Sequence, residues 1–100
     1  MIIVKIVKDN KTIKSVTTSG HAGYAKSGKD IVCAAVSAVV VGSVNAVIKL
    51  TNKEPKTVVD DGYLHIEFAS DANTQQIAEV MIAQLETIER DYQKFIRIEN

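Results

Sequence analysis

Residues 30–51 read DIVCAAVSAVVVGSVNAVIKLT, and the reading of this run decides the architecture of the chain. From Ile31 to Ile48 it carries no charge, and its length is at the border of what crosses a bilayer. Ser37, Gly42, Ser43 and Asn45 interrupt it and small alanines are frequent, which suits a helix packed in protein better than one facing lipid. Asp30 stands just ahead as a cap, because its carboxylate can accept from the orphan amides of a first turn. The segment NKEP at 52–55 closes the run, since proline cannot continue a helix. Apolar almost all round from Ile31 to about Thr51, it predicts a long central helix covered on most sides.

The flanks supply strands. MIIVKIVKD is rich in β-branched residues with partial alternation, so Ile2 to Lys8 is read as a strand. The turn residues Asp9, Asn10 and Lys11 follow, and TIKSVTT returns to complete an N-terminal hairpin. Its lysines at 5, 8, 11 and 14 read as guards against edge-to-edge aggregation. Downstream, KTVVDDGYLHIEF at 56–68 forms a second hairpin turning at Asp61–Gly62. SDANTQ then supplies caps for a second helix, in which Ile77, Val80, Met81, Leu85, Ile88 and Tyr92 recur at helical spacing. KFIRIEN reads as a short closing strand. The order ββαββα with a final β predicts a layered α+β domain, with a long central helix and a mostly antiparallel sheet.

The 100 residues suffice for one domain spanning 1–100 with its own core. Hydrophobic residues at 46% and charged residues at 24% are ordinary for a soluble protein. Formal net charge is zero, which argues against direct nucleic-acid binding. The first fifty positions hold seven lysines against two acidic residues, and the last fifty hold five basic against ten acidic. That asymmetry reads first as solvated faces. One cysteine cannot form an internal disulfide, and no signal-peptide pattern precedes the first strand; both suit the cytoplasm, with no membrane partner. One cysteine and two separated histidines fall short of the four ligands of a structural metal site. No phosphate-binding glycine motif is present either, so neither metal nor cofactor is expected. His65, alternating with Tyr63 and Glu67, reads as an exposed strand residue.

The chemistry concentrates in SGHAGYAKSGKDIVCAAVS, residues 19–37, which holds the single cysteine, one of the two histidines and three of the five glycines. If Asp30 is the cap, Cys33 lies in the first helical turn, where partial positive charge on the amides faces its sulfur. His21 stands across a glycine-punctuated loop that can fold back to the thiol. A thiol, a base and nearby amides are what a cysteine nucleophile requires. The helix start and the loop glycines Gly20, Gly23 and Gly28 would contact substrate and donate to an oxyanion. A packing answer stays open, because free cysteine is commonly a small buried hydrophobe and one Cys with one His is a weak signal. Two auxiliary candidates stand nearby. Asp30 either orients the imidazole or only caps the helix, and a carboxylate beside the sulfur would oppose its ionisation, which favours the cap. Ser37, one turn beyond Cys33, either serves the site or bonds a carbonyl one turn back. Tyr24 either packs on substrate or anchors the loop. With few large apolar anchors, that loop is expected to be mobile when empty.

The string GHAGYA…GKDIVCAAVS resembles the signature of the ribosomal-processing cysteine protease (Prp) family, and length, element order and motif position agree over essentially the whole chain. The resemblance implies a cysteine endopeptidase that removes the N-terminal extension of a large-subunit ribosomal protein, number twenty-seven. It places the catalytic pair on His21 and Cys33, with Cys33 forming a thioester and His21 handling the protons. It also implies a homodimer whose partner is the extension peptide of the ribosomal substrate. Two other readings remain: a non-catalytic ribosome-associated binding module using the lysine-bearing hairpin, and a thiol redox sensor centred on Cys33.

Overall fold

A computed structural model of the chain describes residues 1–26 and 28–100. The elements run β1 (Ile2–Asp9), β2 (Thr12–Ser19), α1 (Ile31–Thr51), β3 (Lys56–Asp60), β4 (Tyr63–Glu67), α2 (Ala72–Asp91) and β5 (Ile96–Glu99). The strands form one sheet in the order β3-β4-β2-β1-β5, antiparallel throughout except for the parallel β1–β5 pair. The two helices pack against each other on one side of it, giving the expected layered α+β arrangement with the closing strand present.

Alternation explains which strand residues enter the core. Ile2, Val4 and Ile6 of β1 point inward and are buried. In β2 the buried pair is Ile13 and Val16, a spacing that simple alternation forbids. A bulge resolves it: Val7 pairs with Ser15 and Lys8 with Ile13, so Lys14 is skipped and both apolar residues face the same layer. Thr74, Ala78, Met81 and Leu85 supply the buried stripe of α2, whose N-terminus is capped by Asp71 accepting from the Thr74 amide at 3.0 Å.

Two expectations need correction. The lysine-bearing hairpin does not lie at an edge of the sheet: β5 pairs with β1 and β4 with β2, so β3 and β5 are the edges. Those pairings come from strands far along the chain, which local sequence does not reveal. Nor is α1 covered on most sides. Val32, Val36, Val40, Ser43 and Val47 form a single buried stripe, while Ile31, Val41 and Leu50 are half or more exposed. One sheet and one neighbouring helix can cover only one face and one flank. Ser43 joins the buried stripe because its hydroxyl donates to the Val39 carbonyl at 2.6 Å.

The topology brings four chain segments together at one end of the sheet. β1 begins there and β2 ends there, the β3–β4 turn folds over, and α1 starts. The Gly20 amide donates to the Gly62 carbonyl at 2.8 Å, extending the β2–β4 pairing past the last strand residue.

Candidate active site

Asp30 organises the start of α1. One carboxylate oxygen accepts from the amides of Val32 and Cys33, each at 3.0 Å. The other accepts from Tyr24 at 3.0 Å and Ala25 at 3.4 Å. The Cys33 amide leads the groups that hold the Asp30 carboxyl below its ordinary value of 3.8, with desolvation pulling the other way. Its carboxylate is thus spent on four backbone donors, which makes it a cap that also staples the preceding loop. This arrangement corrects one expectation. The amides of Val32 and Cys33 are bound to Asp30, and that of Ala34 donates to the Asp30 carbonyl at 3.1 Å, so none of the three is available to an oxyanion.

The sulfur of Cys33 is partly buried and accepts from the Ala22 amide at 3.4 Å. Ala22 is itself in the core, so the residue beside His21 is pinned to the thiol. His21 and Cys33 line a common cavity of about 330 Å³, walled by Val36, Val40, Val59 and Leu64. Both also line an adjoining, more open hollow together with Gly23, Gly28 and Ser37. The cysteine is therefore neither sealed in the core nor separated from the histidine.

The imidazole of His21 rests on the β3–β4 turn. A Cβ built on Gly62 would lie 2.7 Å from Nε2 and 3.1 Å from Cε1, so the ring occupies the space that any side chain there would fill. Gly20 serves a similar end: it adopts φ +89° against the Met1 carbonyl, and its own amide is committed to Gly62. Gly23 and Gly28 face open space and remain as loop-lining positions.

Other uncertainties resolve. Tyr24 anchors the loop, packing edge-on against Tyr92 at 5.8 Å and Phe95 at 5.2 Å between ring centroids. With Asp30 and Ala22, it gives the loop more attachment than its composition suggests. Ser37 lines both hollows, and among the described residues its hydroxyl makes no bond one turn back, unlike those of Ser43, Thr51 and Thr87. His65 is half-buried instead of exposed. It meets the Thr17 hydroxyl at 2.7 Å and lies 3.6 Å from Glu67, and it lines neither hollow.

Sequence reasoning passed over Asp60 and Asp61, which line the cavity beside the pair. The Asp61–Gly62 dipeptide signals a turn, but nothing local says the turn sits beneath a histidine some forty positions earlier. The acids give the site its electrostatic character. Among the described residues, Asp30, Asp60 and Asp61 line the two hollows, and no lysine or arginine does.

Comparison with known proteins identifies the family of the chain. The family model described as "Cysteine protease Prp" matches residues 1–97. The chain is similar to the ribosomal processing cysteine protease Prp of Bacillus subtilis (strain 168), at 44% identity over 97 positions covering 89% of this chain and 87% of that one. It is 43% identical to the Staphylococcus aureus (strain Mu50) protein of that name, with 98% and 97% covered. Among solved structures, an essential ribosomal processing protease Prp from S. aureus with a covalently linked product peptide matches at TM-score 0.93. Identity there is 41%, and 99% of this chain and 98% of that one are covered. The same protease with a substrate peptide matches at TM-score 0.83 and 42% identity, with the same coverage. With one sulfur exposed to a cavity, a histidine beside it and a fold shared along its length, the chain belongs to the Prp family of cysteine proteases.

Proposed function

We propose that the chain removes the N-terminal extension of the large-subunit ribosomal protein numbered twenty-seven, with Cys33 as nucleophile and His21 as acid and base. Membership of a protease family sets aside the non-catalytic module. The observation that carries the assignment is the Ala22 amide on the Cys33 sulfur, which ties the thiol to the segment bearing His21. Cys33 is also the single cysteine of the chain, so cysteine protease chemistry has one candidate sulfur.

In this reading the sulfur attacks the scissile carbonyl carbon while its proton passes to His21. As the C–N bond breaks, His21 returns the proton to the leaving amine and a thioester forms. Water then loses a proton to His21 and attacks the thioester; the C–S bond breaks, and the proton regenerates the thiol. With the amides of Val32, Cys33 and Ala34 engaged, the Ser37 hydroxyl is the nearby donor for the oxyanion. Asp30 frames the site without touching the reacting atoms.

The acidic lining favours a cationic substrate, and proteins that bind ribosomal RNA need lysine and arginine to meet its phosphates. Homodimer formation is supported by the outward face of α1, where Ile31, Ala34, Ala38, Val41 and Ile48 stand uncovered in the single chain. A cytoplasmic location follows from the same substrate.

Incubation with a peptide spanning the extension and the first mature residues, followed by mass spectrometry, tests the proposal. One cut is expected. Cys33→Ala should abolish it, His21→Gln should slow it at least about a hundredfold, and Ser37→Ala about tenfold to a hundredfold. Cleavage by the Cys33→Ala protein would end the assignment.

A further inference from the structure

The sheet has an unpaired edge that runs into the active site. All five residues of β3, Lys56 to Asp60, are exposed, and Val58 and Val59 are among the most exposed large apolar side chains of the chain, at 57% and 72%. Among the described residues, β3 pairs with β4 on one side and with nothing on the other. Natural proteins usually shorten, charge or cover such an edge. β3 is short and carries Lys56 and Asp60 at its ends, but it keeps two adjacent exposed valines inside them.

Register shows which groups are free. The two-residue turn at Asp61–Gly62 makes Asp60 and Tyr63 the closing pair, joined by main-chain hydrogen bonds. Antiparallel alternation then directs the amides and carbonyls of Val58 and Lys56 toward β4, opposite His65 and Glu67. Those of Thr57 and Val59 point away from the sheet. Val59 has a double position: its main chain faces the open edge, and its side chain lines the cavity shared by Cys33 and His21.

We propose that the polypeptide substrate binds as a sixth strand on the free edge of β3, pairing with the N–H and C=O of Val59 and Thr57, before it reaches Cys33. This rests on the protease reading above. A protease that cuts within a chain must hold residues on both sides of the bond in extended form, and strand addition supplies affinity through main-chain bonds that tolerate many side chains. Continuity decides the occupant: β3 ends at Asp60, and both Val59 and Asp60 belong to the wall facing the thiol.

Val59→Pro tests the idea, because proline removes one N–H on the free side and is tolerated on an edge strand whose amide faces outward. The expected result is a rise in KM of about threefold to tenfold for the extension peptide, with iodoacetamide alkylation of Cys33 unaltered. Val59→Thr, which alters the same side chain but keeps its N–H, should raise KM less than Val59→Pro does, and equal rises in the two variants would overturn the main-chain pairing. A parent-like KM for Val59→Pro would overturn the proposal, whereas failure of the parent chain to cut the peptide would count against the protease reading instead. A second measurement needs no proline. In the Cys33→Ala protein, amide exchange at Thr57 and Val59 should slow when the peptide is added. Unchanged exchange would refute strand addition. Protection that appears without peptide and grows with protein concentration would refute it too, since a second copy would then hold the edge.

Discussion

A methyl group at position 62 has nowhere to go. Gly62→Ala would press on the His21 ring, with Nε2 at 2.7 Å, and would force a left-handed residue, φ +63°, to carry a Cβ. The backbone term costs about 1 kcal/mol. Displacing the imidazole costs more in rate than in stability, so kcat should fall about tenfold or more while the unfolding midpoint shifts only modestly. Denaturation and peptide cleavage on one preparation would check this, and an unchanged kcat would show that the turn does not seat the ring. Asp30 offers a test by pH. Its carboxyl titrates lower in the folded chain than the ordinary 3.8 because the Cys33 amide and three other amides bond to its charged form. Its contribution to stability is therefore full above about pH 4 and is lost as pH falls through the lower folded value. A carboxyl ¹³C titration should give a midpoint under 3.8, and Asp30→Ala should flatten the acid limb of the stability curve; a midpoint at or above 3.8 would remove the argument. At this scale sequence reading worked well for Asp30, since a cap is a local relation. It could not see Gly62, whose importance depends on a residue in another hairpin.

On the helices, spacing tells which face is apolar but not how much of it the fold will cover. The α2 positions Ile77, Val80, Met81, Leu85, Ile88 and Tyr92 all follow a helical period. Only Met81 and Leu85 of these are fully buried, and Val80 is 53% exposed beside the groove between the helices. Leu85→Ala should accordingly cost about 2–5 kcal/mol through lost contacts and a residual cavity. Val80→Ala should stay within about 0.5 kcal/mol. Chemical denaturation of both variants checks the contrast, and similar losses would mean that the Val80 face is covered in solution. The long apolar run of α1 misleads in the same way. Its composition suggests burial on most sides, yet the chain has only enough layers to cover the stripe from Val32 to Val47. Hairpins fared better, because the turn at Asp61–Gly62 fixes its own register over the next few residues.

For the whole molecule, the order of strands in the sheet was beyond local reading. The closing strand inserts parallel to β1, and β4 reaches past α1 to pair with β2, so the lysine-rich hairpin ends in the middle of the sheet. Yet the candidate site was largely legible, since His21, Asp30, Cys33 and Ser37 fall within one short segment and line shared hollows. What the topology adds is charge. The first half of the sequence is rich in lysine, but the fold lines the hollows shared by His21 and Cys33 with acids drawn from both halves, Asp30, Asp60 and Asp61. Among the described residues, neither Asp60 nor Asp61 is engaged in a salt bridge. An incoming cationic peptide would thus be attracted over a distance set by the ionic strength, about 10 Å at 0.1 M salt and about 3 Å at 1 M. Raising NaCl from about 0.05 to 0.5 M should increase KM for a lysine-bearing extension peptide several-fold with little change in kcat, because screening weakens encounter and leaves the chemistry alone. Replacing Asp60 and Asp61 together by asparagine should flatten that dependence. The variant should still fold. An Asn–Gly pair favours the same tight turn, and after Asp60→Asn the side-chain amide oxygen can still accept from the following N–H, as the carboxylate does now. A salt slope that survives both substitutions would place the attraction elsewhere on the surface, whereas a peptide with its lysines changed to glutamine should lose the slope in either case.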